Sequence, residues 1–142
     1  MIETIYTELP FDKITYLDRP EFHKEEKEFK KALTQSMKKY GMKDPVYCWY
    51  NSKPYKDKIH IIVGNNRMTV AKELGIKTIK AVVTNFKADE FPLKGEVLET
   101  DAEIKKLFHL PNALQIRRDE NGDVDQVMPV HYMKEGVREK YV

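Results

Sequence analysis

The chain has 142 residues, of which 41% are hydrophobic and 34% are charged. This length suffices for one domain with a buried core, and no apolar run is long enough to cross a bilayer. The N-terminal residues lack a signal-peptide pattern, and the single cysteine, Cys48, cannot form an intramolecular disulfide or a zinc site. We therefore expect a cytoplasmic single domain over residues 1–142, without a membrane partner. The net charge of +2 does not by itself indicate nucleic-acid binding.

The first elements are predicted to be a strand and an amphipathic helix. Residues 5–14 alternate apolar and polar side chains around Pro10, which predicts a short edge strand that leads into a turn. A helix is predicted over 24–40, because apolar residues recur there at helical spacing and Gly41 occupies the position of a left-handed C-cap. The apolar residues are Phe29, Ala32, Leu33, Met37 and Tyr40. Lysines and glutamates are interleaved at 24–39, which is more typical of a solvated helix face than of a DNA-binding surface.

Two strand-like runs follow, at 45–50 and 58–63. The segment between them is rich in turn-forming residues, which predicts an irregular hairpin. The second run is apolar at nearly every position, and we expect it to be a central strand covered on both faces.

A helix of about ten residues is predicted next, with an apolar stripe formed by Val70, Ala71 and Leu74. Gly75 is expected to end this helix as a C-cap, with the following residue folding back towards Ala71. A further strand is predicted at 78–83, so that strand, helix and strand make a compact crossover unit.

The C-terminal part contains two local signals. Thr100 and Glu103 form a capping box, which predicts a short helix over 101–108. Asn121 and Gly122 lie between strand-forming residues and predict a β-hairpin. Aspartates near this turn are better explained by the turn than by a calcium loop, because no bidentate glutamate follows at the required offset.

Polar residues mark the point where the strand at 58–63 passes into the helix. A helix N-terminus carries backbone N–H groups without intrahelical partners and can hold an anion such as phosphate. Gly64 has no side chain and therefore allows the backbone to come close to a ligand. Asn66 can cap the helix, and Asn65 can hydrogen-bond a ligand. Arg67 offers a planar fork of donors suited to phosphate oxygens. The alternative is that the glycine and asparagines only form the turn, while Arg67 pairs with a carboxylate.

Four short stretches occur in a fixed order: LPFDKI (9–14), DRPEF (18–22), GMKDPV (41–46) and GNNRMTVAKELGIKTIKAVV (64–83). Together they resemble the N-terminal domain of ParB proteins. The resemblance covers about residues 8–84 and implies an α+β, ParB/sulfiredoxin-like fold, a small mixed sheet with flanking helices. Residues 85–142 are then a divergent C-terminal extension with a short helix and a β-hairpin.

The resemblance also implies a ligand. In ParB proteins the segment corresponding to 64–67 is associated with the triphosphate of CTP bound with magnesium. A nucleotide- or phosphate-binding site is thus implied for Gly64, Asn65, Asn66, Arg67, Asp44, Pro45 and Arg19, with CTP or ATP and magnesium as cofactor. Asn65 and Asn66 replace a glutamate and an arginine of the family pattern, so binding is more strongly implied than hydrolysis.

Two classes of function remain open. Some stand-alone relatives are labelled ParB-like nucleases and others are kinases that use ATP, so one hypothesis is a divergent nuclease, nucleotidase or kinase. No catalytic residue is identified, although Asp12, Asp18 and Asp44 lie near the expected pocket by analogy. The alternative is a non-catalytic DNA-associated or protein-interaction module of phage or mobile-element origin. A nucleotide, DNA or both are the expected partners, and a homodimer is compatible with the resemblance.

Other chemistries are not favoured. Sulfiredoxins have their reactive cysteine at the position of Asn65, and asparagine cannot perform that reaction. Cys48 lies in a predicted strand and is expected to be an ordinary buried thiol. The four histidines lack the spacing of a metal site, so no metal site is predicted. Residues 112–122 show only slight similarity to the DNA-reading half of ParB proteins, so a partition-complex role is not expected.

Overall fold

The computed structural model describes residues 2–18, 27–50, 56–87, 94–108 and 114–129. In chain order the strands and α-helices of these residues are β1 (Ile2–Pro10), β2 (Ile14–Thr15), α1 (Lys27–Tyr40), β3 (Val46–Tyr50), β4 (Ile59–Val63), α2 (Asn65–Leu74), β5 (Thr78–Lys87), β6 (Glu96–Val97), α3 (Asp101–Lys105), β7 (Leu114–Arg118) and β8 (Val124–Pro129). A 3₁₀ turn at Phe11–Lys13 separates β1 from β2. No helix within these ranges is long and apolar enough to span a bilayer.

Six strands form one mixed sheet in the order β2-β4-β3-β5-β1-β6. The longest ladder joins β1 and β5 in antiparallel register, from Ile2 opposite Lys87 to Pro10 opposite Thr78. Strand β3 runs parallel to β5, and β2 runs parallel to β4. Strands β7 and β8 make a separate antiparallel pair. The mixed sheet with its helices confirms the expected α+β class.

One prediction about strand position is wrong. Strand β1 is not an edge strand, because the two-residue β6 pairs with its outer side at Ile5 and Tyr6. Strand β4 lies between β2 and β3, as expected for an inner strand, although its residues His60 and Ile62 are only half-buried. The error at β1 arises because β6 comes from a distant part of the chain, which local patterning does not indicate.

The predicted hairpin forms, with Tyr47 of β3 opposite Val63 of β4 and Tyr50 opposite Ile59. The predicted crossover has a different geometry. Strand β3 lies between β4 and β5, and it is antiparallel to one and parallel to the other. Helix α2 therefore connects two strands that are not neighbours, so its first turn lies beside the start of β3.

Helix α1 packs on the sheet through Leu33 and Met37, which are both buried. The left-handed C-cap at Gly41 is confirmed, with φ of +72° and an N–H that donates to the Met37 carbonyl at 3.0 Å. Two residues of the predicted apolar stripe, Ala32 and Tyr40, are exposed instead. Tyr40 lies in the last turn, one turn beyond the last α1 residue of the core.

Separate apolar clusters cover the two faces of the sheet. The larger contains the buried residues of α1 and α2, among them Leu33, Met68 and Ala71. The second contains six buried side chains from the sheet and the C-terminal extension: Tyr47, Val82, Leu98, Ile104, Phe108 and Val124. The extension thus supplies the apolar cover of one sheet face.

Local signals in the extension are confirmed. The Thr100 hydroxyl caps α3 by accepting a hydrogen bond from the Glu103 N–H at 3.1 Å. The helix ends at Lys105, earlier than the predicted 108. Strands β7 and β8 form the predicted hairpin, and Gly122 in its turn has φ of +82°. The Asp119 carboxylate accepts the N–H groups of Asn121 and Asp123, which agrees with a turn rather than a calcium loop.

Substitution of Ile104 tests whether the extension stabilises the whole domain. This side chain is fully buried against the sheet, and Ile104→Ala should lower the free energy of unfolding by about 2–5 kcal/mol through lost burial and a residual cavity. Chemical denaturation followed by circular dichroism measures this change. The control Val97→Ala truncates a side chain that is 44% exposed in the same extension and should change stability by less than about 1 kcal/mol. Equal effects of the two substitutions would contradict the role of the extension.

Candidate functional site

The junction between β4 and α2 is built around Gly64. Its φ of +128° lies in a region that L side chains rarely adopt, and a Cβ at this position would lie 2.8 Å from Cγ1 of Val46. Its carbonyl accepts the first hydrogen bond of α2, from the Met68 N–H at 2.9 Å. Glycine is therefore required both by backbone conformation and by close packing on the first residue of β3.

The N-cap of α2 is Gly64, so the prediction that Asn66 caps this helix is wrong. Asn66 is instead the second residue of the helix. The N-cap makes no side-chain hydrogen bond to the first turn, and that turn contains no acidic residue. The partial positive charge of the helix terminus is thus not offset there by a carboxylate.

Arg67 points into the protein and is only 9% exposed. Its Nη1 donates to the main-chain carbonyls of Asp44 at 2.7 Å and Pro45 at 3.1 Å. These two bonds attach the first turn of α2 to the segment that enters β3. The guanidinium group provides the predicted donors, and one of its nitrogen atoms, Nη1, is hydrogen-bonded to the protein's own backbone.

Asn65 makes a second attachment, to the segment that follows β2. Its Oδ1 accepts the N–H of Leu17 at 2.8 Å. One residue further on, Asp18 pairs with Lys72 of α2 at 2.8 Å. Residues 16–18 therefore run along α2, and Asn65 acts as an acceptor for the main chain.

The structure brings most of the predicted site residues together. Asn65, Asn66 and Arg67 occupy the first turn of α2 after Gly64, and Arg67 bonds to the carbonyls of both Asp44 and Pro45. Arg19 lies outside the described residues. The contacts of Val46 with Gly64 and of Lys72 with Asp18 were not predicted, because no local pattern indicates which distant segment a side chain meets.

The carboxylates and the thiol near this region are buried or ion-paired. Asp44 is only 3% exposed and Asp18 is ion-paired. Cys48 is fully buried as expected, and burial raises the pKa of its thiol, so the thiol stays protonated near neutral pH. Within the described ranges, no three or more His, Cys, Asp or Glu side chains are grouped so that they could hold a metal ion.

A family model described as the ParB N-terminal domain matches residues 2–92. The chain belongs to the ParB N-terminal domain family. The match includes the junction and the range of about 8–84 over which the sequence resembles the family. It ends before β6, so the cover on the second sheet face is formed by residues beyond the match.

Solved structures with a similar fold share little sequence with this family member. One is ParB from Caulobacter crescentus complexed with CTP-gamma-S, at 18% identity and a TM-score of 0.45, covering 71% of this chain and 59% of that one. A free serine kinase in complex with AMP has 19% identity and a TM-score of 0.44, covering 84% and 48%. A conserved hypothetical protein from Pyrococcus furiosus has 18% identity and a TM-score of 0.45, covering 57% and 32%. The chain thus spans less than two thirds of each. A search of curated proteins found no match.

Gly64→Ala tests the geometry of the junction. The substitution combines backbone strain with a steric overlap on Val46, and it should lower the free energy of unfolding by about 2–6 kcal/mol. Gly75→Ala is the matched control, because Gly75 also has positive φ, at +72°, but a Cβ there would meet no atom within 4 Å. The control should cost about 1–2 kcal/mol from backbone strain alone. Denaturant titration of both variants measures the difference, and equal losses would show that Gly64 is not tightly packed.

Proposed function

We propose that this ParB N-terminal domain binds the phosphate groups of a nucleotide, or of a nucleic acid, at the junction between β4 and α2. The observation that carries the proposal is the N-terminus of α2. It has a glycine N-cap without a side-chain hydrogen bond, and its first turn contains no acid. Such a terminus favours an oxyanion through its backbone N–H groups and its partial positive charge.

The main-chain N–H groups of Asn65, Asn66 and Arg67 are the proposed phosphate donors. Arg67 supports them in two ways. Its bonds to the carbonyls of Asp44 and Pro45 fix the first turn, and its charge makes the potential around the turn more positive. We therefore assign the Arg67 side chain a positioning role, with the backbone making the phosphate contacts.

A nucleoside triphosphate such as CTP or ATP fits this donor set through its phosphates. Asn65 and Asn66 are neutral, so they do not repel an anion, but they also supply no carboxylate for magnesium. Magnesium bound to the triphosphate would neutralise part of the phosphate charge. Binding is proposed in preference to hydrolysis, because Asn65 replaces the family glutamate and its Oδ1 is bonded to the Leu17 N–H.

Asn66→Asp separates binding from folding. An acid at the second position of α2 interacts favourably with the helix terminus, so the melting temperature should be maintained or rise slightly. The same charge would repel a bound phosphate and weaken its binding by about tenfold, which matches Coulomb repulsion at partly solvated sites. Calorimetric titration with CTP, ATP and GTP plus magnesium, and with a short DNA duplex at several salt concentrations, measures this effect.

Gln35→Glu provides the matched control, because it makes the same change in net charge at an exposed position of α1. Its nucleotide affinity should equal that of the wild type. The proposal is contradicted if the wild type binds none of these ligands or if Asn66→Asp binds as tightly as the wild type. Weaker duplex binding by Gln35→Glu alone would place a DNA contact on α1 instead of the junction.

A further inference from the structure

Tyr40 is a large aromatic residue that the core does not use. Its side chain is 62% exposed, although it belongs to the apolar pattern of α1. The helix reaches the core through Leu33 and Met37 and then ends at the Gly41 turn. Burial in the core therefore does not account for the aromatic ring at this position.

The C-terminal part of α1 carries only positive charge. The glutamates that are interleaved with lysines in the sequence precede residue 29, whereas residues 30–43 contain five lysines and no acid. Lys30 is ion-paired with Glu73 of α2 at 2.9 Å. Lys38, Lys39 and Lys43 lie close to Tyr40 in the sequence.

Two lysines make cation–π contacts with the aromatic ring. The Nζ atoms of Lys39 and Lys43 lie over the Tyr40 ring, 5.0 Å and 5.4 Å from its centroid. We call the group of Lys39, Tyr40 and Lys43 the Tyr40 patch. It combines an exposed aromatic ring with two positive charges.

We infer that the Tyr40 patch binds single-stranded nucleic acid: an unpaired base takes the place of a lysine ammonium group on the Tyr40 ring, and the displaced lysine contacts an adjacent phosphate. Aromatic rings in a positively charged surface bind single strands in this way, because every base has a face that can stack and every nucleotide carries a phosphate. Paired bases in a duplex are already stacked and offer no free face. Single strands should therefore be preferred over duplexes of the same length.

The position of the patch is defined by the fold. Gly41 ends α1 immediately after Tyr40, and the chain then reaches Asp44 and Pro45, whose carbonyls Arg67 holds. The patch is therefore anchored at both sides. This inference does not depend on the proposed phosphate site at the α2 terminus, which uses different atoms.

Tyr40→Leu tests the stacking. It keeps an apolar side chain but removes the aromatic face, and it should weaken binding of a fluorescently labelled oligo-dT by about tenfold. Tyr40→Phe keeps the ring and should bind within about twofold of the wild type. Fluorescence anisotropy at low salt measures both affinities, with a hairpin duplex of the same nucleotide count as the comparison ligand.

Charge substitutions provide the controls. Lys39→Gln should weaken binding and reduce the salt dependence by about one phosphate contact, whereas Lys27→Gln, at the opposite end of α1, should have no effect. The inference is overturned if the wild type binds no oligonucleotide, if Tyr40→Leu binds as tightly as the wild type, or if duplex and single strand bind equally well. Tyr40→Leu should leave the affinity for CTP and ATP with magnesium unchanged, so failure here is distinguishable from failure at the α2 terminus.

Discussion

The bonds from Arg67 to the carbonyls of Asp44 and Pro45 are the interaction on which the rest of the site depends. They join the start of α2 to the start of β3, two places that the sheet order brings together but that are far apart in sequence. Loss of the guanidinium would leave carbonyls of two buried residues without these donors, at a cost of about 1–3 kcal/mol for each carbonyl left unsatisfied. Because the arginine holds the backbone, the first turn of α2 keeps a fixed position and its N–H groups keep a fixed direction.

Two further contacts attach the same region to the rest of the fold. Asn65 accepts a hydrogen bond from the Leu17 N–H, and Gly64 packs on Val46. The junction therefore has three attachments: Gly64 on Val46, Arg67 on the segment before β3, and Asn65 on the segment after β2. On the opposite face of the sheet, residues beyond the family match bury Tyr47 and Val82, so the extension contributes to the stability of the domain that carries the junction.

The sequence alone predicted those structural features that depend only on neighbouring residues. The caps at Gly41 and Gly75, the Thr100 capping box and the hairpin turn at Gly122 were all predicted, because each depends on a few neighbouring residues. Long-range neighbours were not predicted. The inner position of β1, the exposure of Tyr40 and the main-chain partners of Arg67 all depend on which distant segments meet. Likewise, the sequence named the candidate site residues as a prediction, but the direction of the Arg67 side chain required the tertiary structure.

The central claim is that the backbone N–H groups at the N-terminus of α2 contact phosphate, while the Arg67 side chain bonds to the carbonyls of Asp44 and Pro45. Titration of ¹⁵N-labelled protein with CTP or ATP and magnesium, followed by proton–nitrogen correlation spectra, tests it most directly. We predict that the largest shifts occur at the backbone amides of Asn65, Asn66 and Arg67, with little change at the Arg67 side-chain Nε–H. A large shift of that Nε–H with unchanged amides at 65–67, or shifts confined to other parts of the chain, would contradict this account.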